Sequence, residues 1–295
     1  MNKSYTAAMT LVLACMTIPA TAAITVQDDG GNTVTVERPA RRIVSLSPHV
    51  TELLFAAGGG DRIVGAVSYS DFPEAAKSIP RIGDNRQVDI ERLIALKPDL
   101  IVLWLHGGSG RQVELLGKLG IPMYHSEPGK LDDIARSVGR LGRLMGTDAV
   151  AQPAAKALTD TLAALKLRYA NRPPVRLFYQ VWDKPLYTLN GEHIVSDAIK
   201  LCGGDNIFAE MKVTAPVVSI EGVLQRDPEA IFGSSERAAR DGGVDLWRRY
   251  PALRAVHSDN LFTLDGNLLN RAGPRMVQGT KVLCEKIELA RQRRK

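Results

Sequence analysis

Between Arg42 and Tyr124, short runs of branched apolar residues alternate with stretches whose apolar positions recur every three or four residues. The runs Arg42–Leu46, Ile63–Val67, Leu100–Trp104 and Ile121–Tyr124 show little polar alternation, as expected of strands covered on both faces. Ser47-Pro48 opens a helix, since Ser is a good N-cap and Pro suits the first helical position. Leu53, Leu54 and Ala57 then form its apolar face. A second helix is predicted over Lys130–Met145, where Leu131, Ile134, Val138, Leu141 and Met145 repeat at helical spacing. Strand–helix alternation predicts a mostly parallel sheet with helices on both faces. Ahead of it, Ile24–Val26 and Thr33–Val36 flank Asp28-Asp29-Gly30-Gly31-Asn32, the turn chemistry of a hairpin.

Residues 148–170 differ. Glycine is absent, Leu158, Leu162, Leu165 and Tyr169 recur at helical spacing, and Asn171-Arg172-Pro173-Pro174 stops the run. About 20 helical residues span roughly 30 Å, so this segment is expected to be a stiff connector, with Pro153 in or just before its first turn. Beyond it the alternation resumes, with strands at Val175–Gln180, Ala230–Phe232 and Leu261–Leu264. Helices are expected around His193–Leu201 and from Pro274 to about Ala290. The expected fold is α/β: two similar lobes, residues 23–147 and 171–295, with mostly parallel central sheets joined by one long rigid helix.

The interval between the halves is constant. Val88-Asp89-Ile90-Glu91, Leu93-Ile94, Pro98-Asp99 and Ile101 match Val218-Ser219-Ile220-Glu221, Val223-Leu224, Pro228-Glu229 and Ile231, each 130 residues later. Each copy reads as cap, short helix, Pro-acid turn and strand. Glu91 and Glu221 then fall in the first turn of their helices. The helix dipole alone would favour a carboxylate there by about 0.3–1 kcal/mol. Alternatively, each half presents one exposed acid to a two-fold-symmetric partner.

The N-terminus changes the expected compartment. Lys3, the apolar stretch Ala7–Ile18 and the small residues Ala20-Thr21-Ala22 read as a secretory signal over residues 1–22, cleaved near Ala23. A lipoprotein reading through Cys15 fits less well, because Leu13 is bulky and cleavage there would shorten the apolar core. Export leaves two cysteines, Cys202 and Cys284, which either bridge in an oxidising compartment or stay as buried free thiols. A bridge closing this loop would stabilise the fold by about 4 kcal/mol on chain entropy.

Several blocks then resemble a known family, the cobalamin-binding periplasmic proteins of ABC importers, within the class III type of two-lobed substrate-binding proteins. They are Ser45-Leu46-Ser47-Pro48 with Thr51-Glu52-Leu53, Ser68-Tyr69-Ser70-Asp71, Ala95–Leu100, Arg111-Gln112, Cys202-Gly203-Gly204 with Asn206-Ile207-Phe208, and Arg271-Ala272 before Pro274-Arg275. The resemblance spans about Arg42 to Cys284. It implies a periplasmic, monomeric binding protein that carries cobalamin or a related corrinoid to a membrane permease. It also implies a Cys202–Cys284 bridge, docking through Glu91 and Glu221, and a corrin cleft lined by Tyr69, Trp104, Tyr187 and Arg271. Three further cleft positions depart from the family: Asn85 and Ala215 stand where tryptophans are usual, and Asn267 where an acid is usual. These departures leave haem or a ferric siderophore open as the ligand.

Other chemistry has less support. Aromatics are 5% of the chain, without basic–aromatic interleaving, which argues against nucleic acid. The formal charge of +6 is concentrated in Arg291-Gln292-Arg293-Arg294-Lys295, a solvated end. His106-Gly107-Gly108-Ser109-Gly110 suggests a glycine-rich turn beside the cleft or, remotely, the oxyanion loop of a periplasmic hydrolase. No nucleophile–base–acid set accompanies it, so no catalytic residue and no cofactor are expected. His49, His106 and His125 each follow a predicted strand, yet their spacing does not mark a zinc site, and no metal is expected.

Overall fold

The structure is a computed structural model that describes residues 22–84, 87–108, 110–169, 171–234 and 243–294. The signal segment with Cys15, and the residues Asn85 and Ser109, lie outside the described residues.

A hairpin comes first, of β1 (Ile24–Gln27) and β2 (Thr33–Val36), with Val26, Val34 and Val36 on its buried face. The first lobe follows as β3 (Ile43–Ser45), α1 (Pro48–Ala56), β4 (Ile63–Ala66), α2 (Ile90–Ala95), β5 (Leu100–Trp104), α3 (Gly110–Gly117), β6 (Met123–Ser126) and α4 (Leu131–Met145). The helix α5 (Asp148–Tyr169) leads to the second lobe: β7 (Val175–Gln180), β8 (Trp182–Asp183), β9 (Leu186–Tyr187), α6 (Ile194–Leu201), β10 (Gly204–Asn206), α7 (Ile220–Arg226), β11 (Ala230–Ser234), α8 (Arg254–His257), β12 (Leu261–Leu264), α9 (Gly266–Leu269) and α10 (Arg275–Gln292).

The two lobes have one topology. The sheet of the first runs β4-β3-β5-β6 and that of the second β10-β7-β11-β12, all parallel. Within each lobe the strands therefore stand in the order 2-1-3-4. The repeat accounts for this match in atomic detail. Asp89 caps α2 by accepting from the Arg92 N–H at 2.9 Å, and Ser219 caps α7 by accepting from Gly222 at 3.1 Å. Both helices are left through a residue at positive φ, Lys97 (48°) and Asp227 (43°). The acid of each Pro-acid turn then reaches the start of the first strand. Asp99 accepts from the backbone of Arg41 and Arg42 at 2.9 Å, and Glu229 from that of Arg176 at 3.4 Å. These carboxylates satisfy strand-end donors that would otherwise lack partners.

Apolar cover explains the layering. Residues Leu100–Leu103 of β5 are all buried, as are Phe178 and Tyr179 of β7. One hydrophobic cluster runs through both lobes by way of Leu162, Leu165 and Tyr169 of α5. Each sheet has a second cluster on its other face, centred on Val44, Ile82 and Leu103 in the first lobe and on Phe178, Phe208 and Trp247 in the second. Helix α5 lies closely along α4. A Cβ on Gly142 would come within 2.1 Å of the Ala151 Cβ, so this approach requires glycine. Cys202 at the end of α6 is bonded to Cys284 in α10, which closes the two alternatives left by the cysteine count.

Three details depart from expectation. The last strand of the first sheet sits two residues later than Ile121–Tyr124, because Pro122 has no N–H to give to the ladder. Pro153 lies in the second turn of α5, exposed, rather than at its start. The edge strand β10, Gly-Asp-Asn, has no apolar pattern and owes its conformation to pairing with β7. Among the described residues, no helix is long and apolar enough to cross a membrane.

Candidate functional site

In a parallel sheet of order 2-1-3-4, the chain leaves the first and third strands in opposite directions, and a crevice opens at their carboxyl ends. In the first lobe those strands are β3 and β5, and a cavity of about 400 Å³ lies there. Ser47, Pro48 and His49 line it after β3, Trp104 at the end of β5, and Glu127, Pro128 and Gly129 after β6. The second lobe closes it with Glu192, His193 and Ile194 at the start of α6, with Thr214, and with residues 269–272. The cavity is thus an inter-lobe cleft, and no single element builds it.

Local chemistry fixes its walls. The Ser47 hydroxyl is 2.7 Å from His49 Nδ1, and His49 meets Trp104 edge-on with ring centroids 6.2 Å apart. Trp104 is therefore held between the floor of the cleft and solvent, half-buried. His193 is the N-cap of α6, its Nδ1 accepting from the Val195 N–H at 3.2 Å. Glu127 is placed by the hairpin turn: Asp29 accepts from the Glu127 N–H at 2.7 Å and is itself held by Arg140. Its carboxylate also meets His106 Nδ1 at 3.0 Å.

The lobes are joined beside the cleft by an ion-pair cluster. Glu52 of α1, only 3% exposed, takes Arg275 of α10 in a two-point contact, 3.0 Å to Nε and 2.6 Å to Nη2. Arg271 Nη1 lies 2.9 Å from Asp71 Oδ1 and 3.7 Å from Glu52 Oε1. The Arg275 guanidinium also stacks over Phe72, 4.0 Å from the ring centroid. On another side, the free N–H of Leu131 at the start of α4 is accepted by Asp197 of α6 at 2.9 Å.

The expected ligand residues fall into two groups. Trp104 and Arg271 line the cavity itself. Tyr69, 76% exposed at positive φ, Tyr187 in β9, Asn267 in α9 and exposed Ala215, next to lining Thr214, are not among the lining residues. Glu91 and Glu221 are exposed in the first turns of α2 and α7. Each helix joins two parallel strands, which requires it to run back against them, so the first turns carrying these acids belong at the carboxyl ends of the sheets. Glu127, Glu192 and Asn270 carry no spacing signature and escape sequence reasoning, and His49 and His193 are placed by it only after a strand and at a helix start, with no ligand role. That all five meet at one carboxyl edge emerges only from topology. The three histidines expected after strands do not converge: His49 bonds Ser47, His106 pairs with Glu127, and His125 pairs with Asp28 at 2.9 Å. Among the described residues, no cluster could hold a metal ion.

Burial pushes both His49 and His193 down to about 4, so the fold holds these imidazoles neutral. Since an unfolded histidine titrates near 6.5, their stabilising contribution is complete above that pH and is lost as pH falls toward 4. The expected loss is on the order of 2–3 kcal/mol per histidine. His193→Asn keeps a good N-cap without the titration. In urea unfolding at a series of pH values, this variant should lose roughly half as much stability between neutral pH and 4.5. An unchanged pH profile would count against the assignment.

The comparisons with known proteins agree with this architecture. A family model described as periplasmic binding protein matches residues 43–268. A vitamin B12-binding protein of Vibrio cholerae serotype O1 is 39% identical over 255 residues, 86% of this chain and 91% of that one. Another, from Yersinia pseudotuberculosis serotype O:1b, is 34% identical over 281 residues, 95% of this chain and 92% of its own. Among solved structures, the periplasmic vitamin B12 binding protein BtuF of Vibrio cholerae superposes with a TM-score of 0.80 at 39% identity, over 85% of this chain and 98% of that one. The periplasmic heme-binding protein RhuT of Roseiflexus sp. RS-1 shares the fold, with a TM-score of 0.75 at 24% identity, over 86% of this chain and all of its own. With its two equivalent α/β lobes and the cleft between them, the chain belongs to the periplasmic binding protein family, whose members here are binding proteins rather than enzymes.

Proposed function

We propose that this protein captures cobalamin or a related corrinoid in the periplasm and hands it, as a monomer, to the permease of an inner-membrane ABC importer. The reading rests chiefly on one observation: a cleft walled by Trp104 and edged by Arg271 lies at the carboxyl edges of two matched sheets. The vitamin B12-binding relatives, alike over most of the chain, support it. A large flat macrocycle needs aromatic walls and a few placed polar groups. Trp104 supplies such a wall, and Tyr69, Tyr187 and Trp182, which are not buried and do not line the cavity, would offer further aromatic surface to a ligand wider than it. Asn267, Ala215 and Asn85 complete the proposed ligand set, with two indoles and one acid fewer than the family pattern. Export follows from the signal read over residues 1–22. Delivery uses Glu91 and Glu221, one exposed carboxylate per lobe, each on a capped helix at an equivalent place.

Visible absorbance gives the direct test. Purified apo-protein titrated with cyanocobalamin should saturate at one equivalent, with a shifted corrin spectrum and tight, stoichiometric binding at micromolar concentrations. Saturation by haemin or a ferric siderophore with no response to cyanocobalamin would move the assignment to those ligands.

A further inference from the structure

The charges of the cleft do not balance. Among the described residues, the charged side chains lining it are Glu127, Glu192 and Arg271. Arg271 is already engaged: it contacts Asp71 at 2.9 Å and Glu52 at 3.7 Å, while Glu52 also holds Arg275. Two arginines and two acids thus neutralise one another at the cleft's edge. Glu127, half-buried, and Glu192, exposed, line the cavity, and among the described residues the ion pair given for Glu127 is with the exposed His106. The two histidines of the wall, buried His49 and half-buried His193, are both pushed down to about 4 by desolvation and add no positive charge at neutral pH.

Resting on the corrinoid reading above, we propose that Glu127 and Glu192 are specificity residues that admit a macrocycle bearing carboxamide arms and exclude one bearing carboxylates. A primary amide offers two N–H donors and a carboxylate is purely an acceptor, so their pairing is a charge-assisted hydrogen bond. A corrinoid is rimmed by such amides and carries no net negative charge. Haem carries two propionates, and placing a propionate against Glu127 or Glu192 sets like charges side by side. Arg271, whose charge is already shared with Asp71 and Glu52, offsets this only in part. Discrimination therefore comes from a repulsive element as much as from an attractive one.

The test compares ligands that differ in this one respect. Wild-type protein, Glu127→Gln, Glu192→Gln and the double variant are titrated by absorbance near pH 8, where ordinary imidazoles are neutral. The probes are cyanocobalamin, its monocarboxylic acids (one peripheral amide hydrolysed) and haemin. Glutamine keeps the shape and removes the charge. The expected wild-type result is binding of cyanocobalamin at least tenfold tighter than at least one monocarboxylate, and still tighter relative to haemin. In the double variant this preference should shrink at least fivefold, with an unaltered melting temperature. Equal wild-type affinity for all three probes, or a preference unchanged in the double variant, overturns this inference and leaves corrinoid binding standing. A wild-type protein that takes haemin and ignores cyanocobalamin overturns both.

Discussion

Replacing Glu52 with alanine should destabilise the protein by about 3–5 kcal/mol, the range found when one partner of a buried ion pair is removed. The carboxylate is almost wholly buried and receives two hydrogen bonds from Arg275, whose side chain is only 15% exposed. Its hydrogen bonds raise the Arg275 guanidinium above its ordinary range, and an arginine stays protonated in proteins even without such a partner. Truncation at position 52 thus leaves a cation without its partner at the junction of the lobes. For a chain of this size the loss corresponds to a fall in melting temperature of roughly 10 °C. Replacing both partners by methionine should restore much of the stability, since an apolar pair of similar volume avoids the desolvation cost. Differential scanning calorimetry of Glu52→Ala and of Glu52→Met with Arg275→Met checks both statements. A single variant within about 1 kcal/mol of wild type would show that the pair contributes little.

Substituting alanine for both Glu91 and Glu221 should lower cobalamin uptake by tenfold or more while ligand affinity stays within twofold. Each acid is exposed and lies in a helix first turn, so its loss should cost the fold only about 0.3–1 kcal/mol. Interfacial charges chiefly set encounter rate and register with a complementary partner. Either single substitution should therefore reduce uptake partially, and less so at higher ionic strength, where salt already screens the attraction that the substitution removes. Transport of labelled cobalamin into cells that depend on this protein, paired with titration of the purified variants, separates the two effects. Unchanged uptake, or affinity that falls with it, would remove these residues from the docking role.

The strands and long helices were legible because their signals are local. Leu100–Trp104 is apolar on both faces, and α4 carries a helical stripe from Leu131 to Met145. The equivalence of the lobes was legible because the repeat keeps one interval. The structure explains that constancy, since cap, left-handed exit and Pro-acid turn each make a specific backbone contact. What stayed hidden depends on partners distant in sequence. Glu52 looks like an ordinary helical acid, and its arginine lies 223 residues away. Glu127 and Glu192 have no motif; one follows β6 and the other precedes α6, and only the meeting of two sheets places them in one cleft. The edge strand β10 is polar and short, so its conformation is imposed by its neighbour. Trp104 and Arg271, which line the cleft, are expected there from the family resemblance and from no local rule of periodicity.

The seating of α5 has a mechanical corollary. It lies along α4 at a distance that only Gly142 permits, so it should ride with the first lobe as a lever arm. Any change in the angle between the lobes must then be taken up beyond Tyr169. There, two consecutive prolines fix backbone torsions, and Arg291 clips the Pro173 carbonyl at 2.7 Å. With the proline torsions fixed and that carbonyl held, the swing about this pivot is expected to be small.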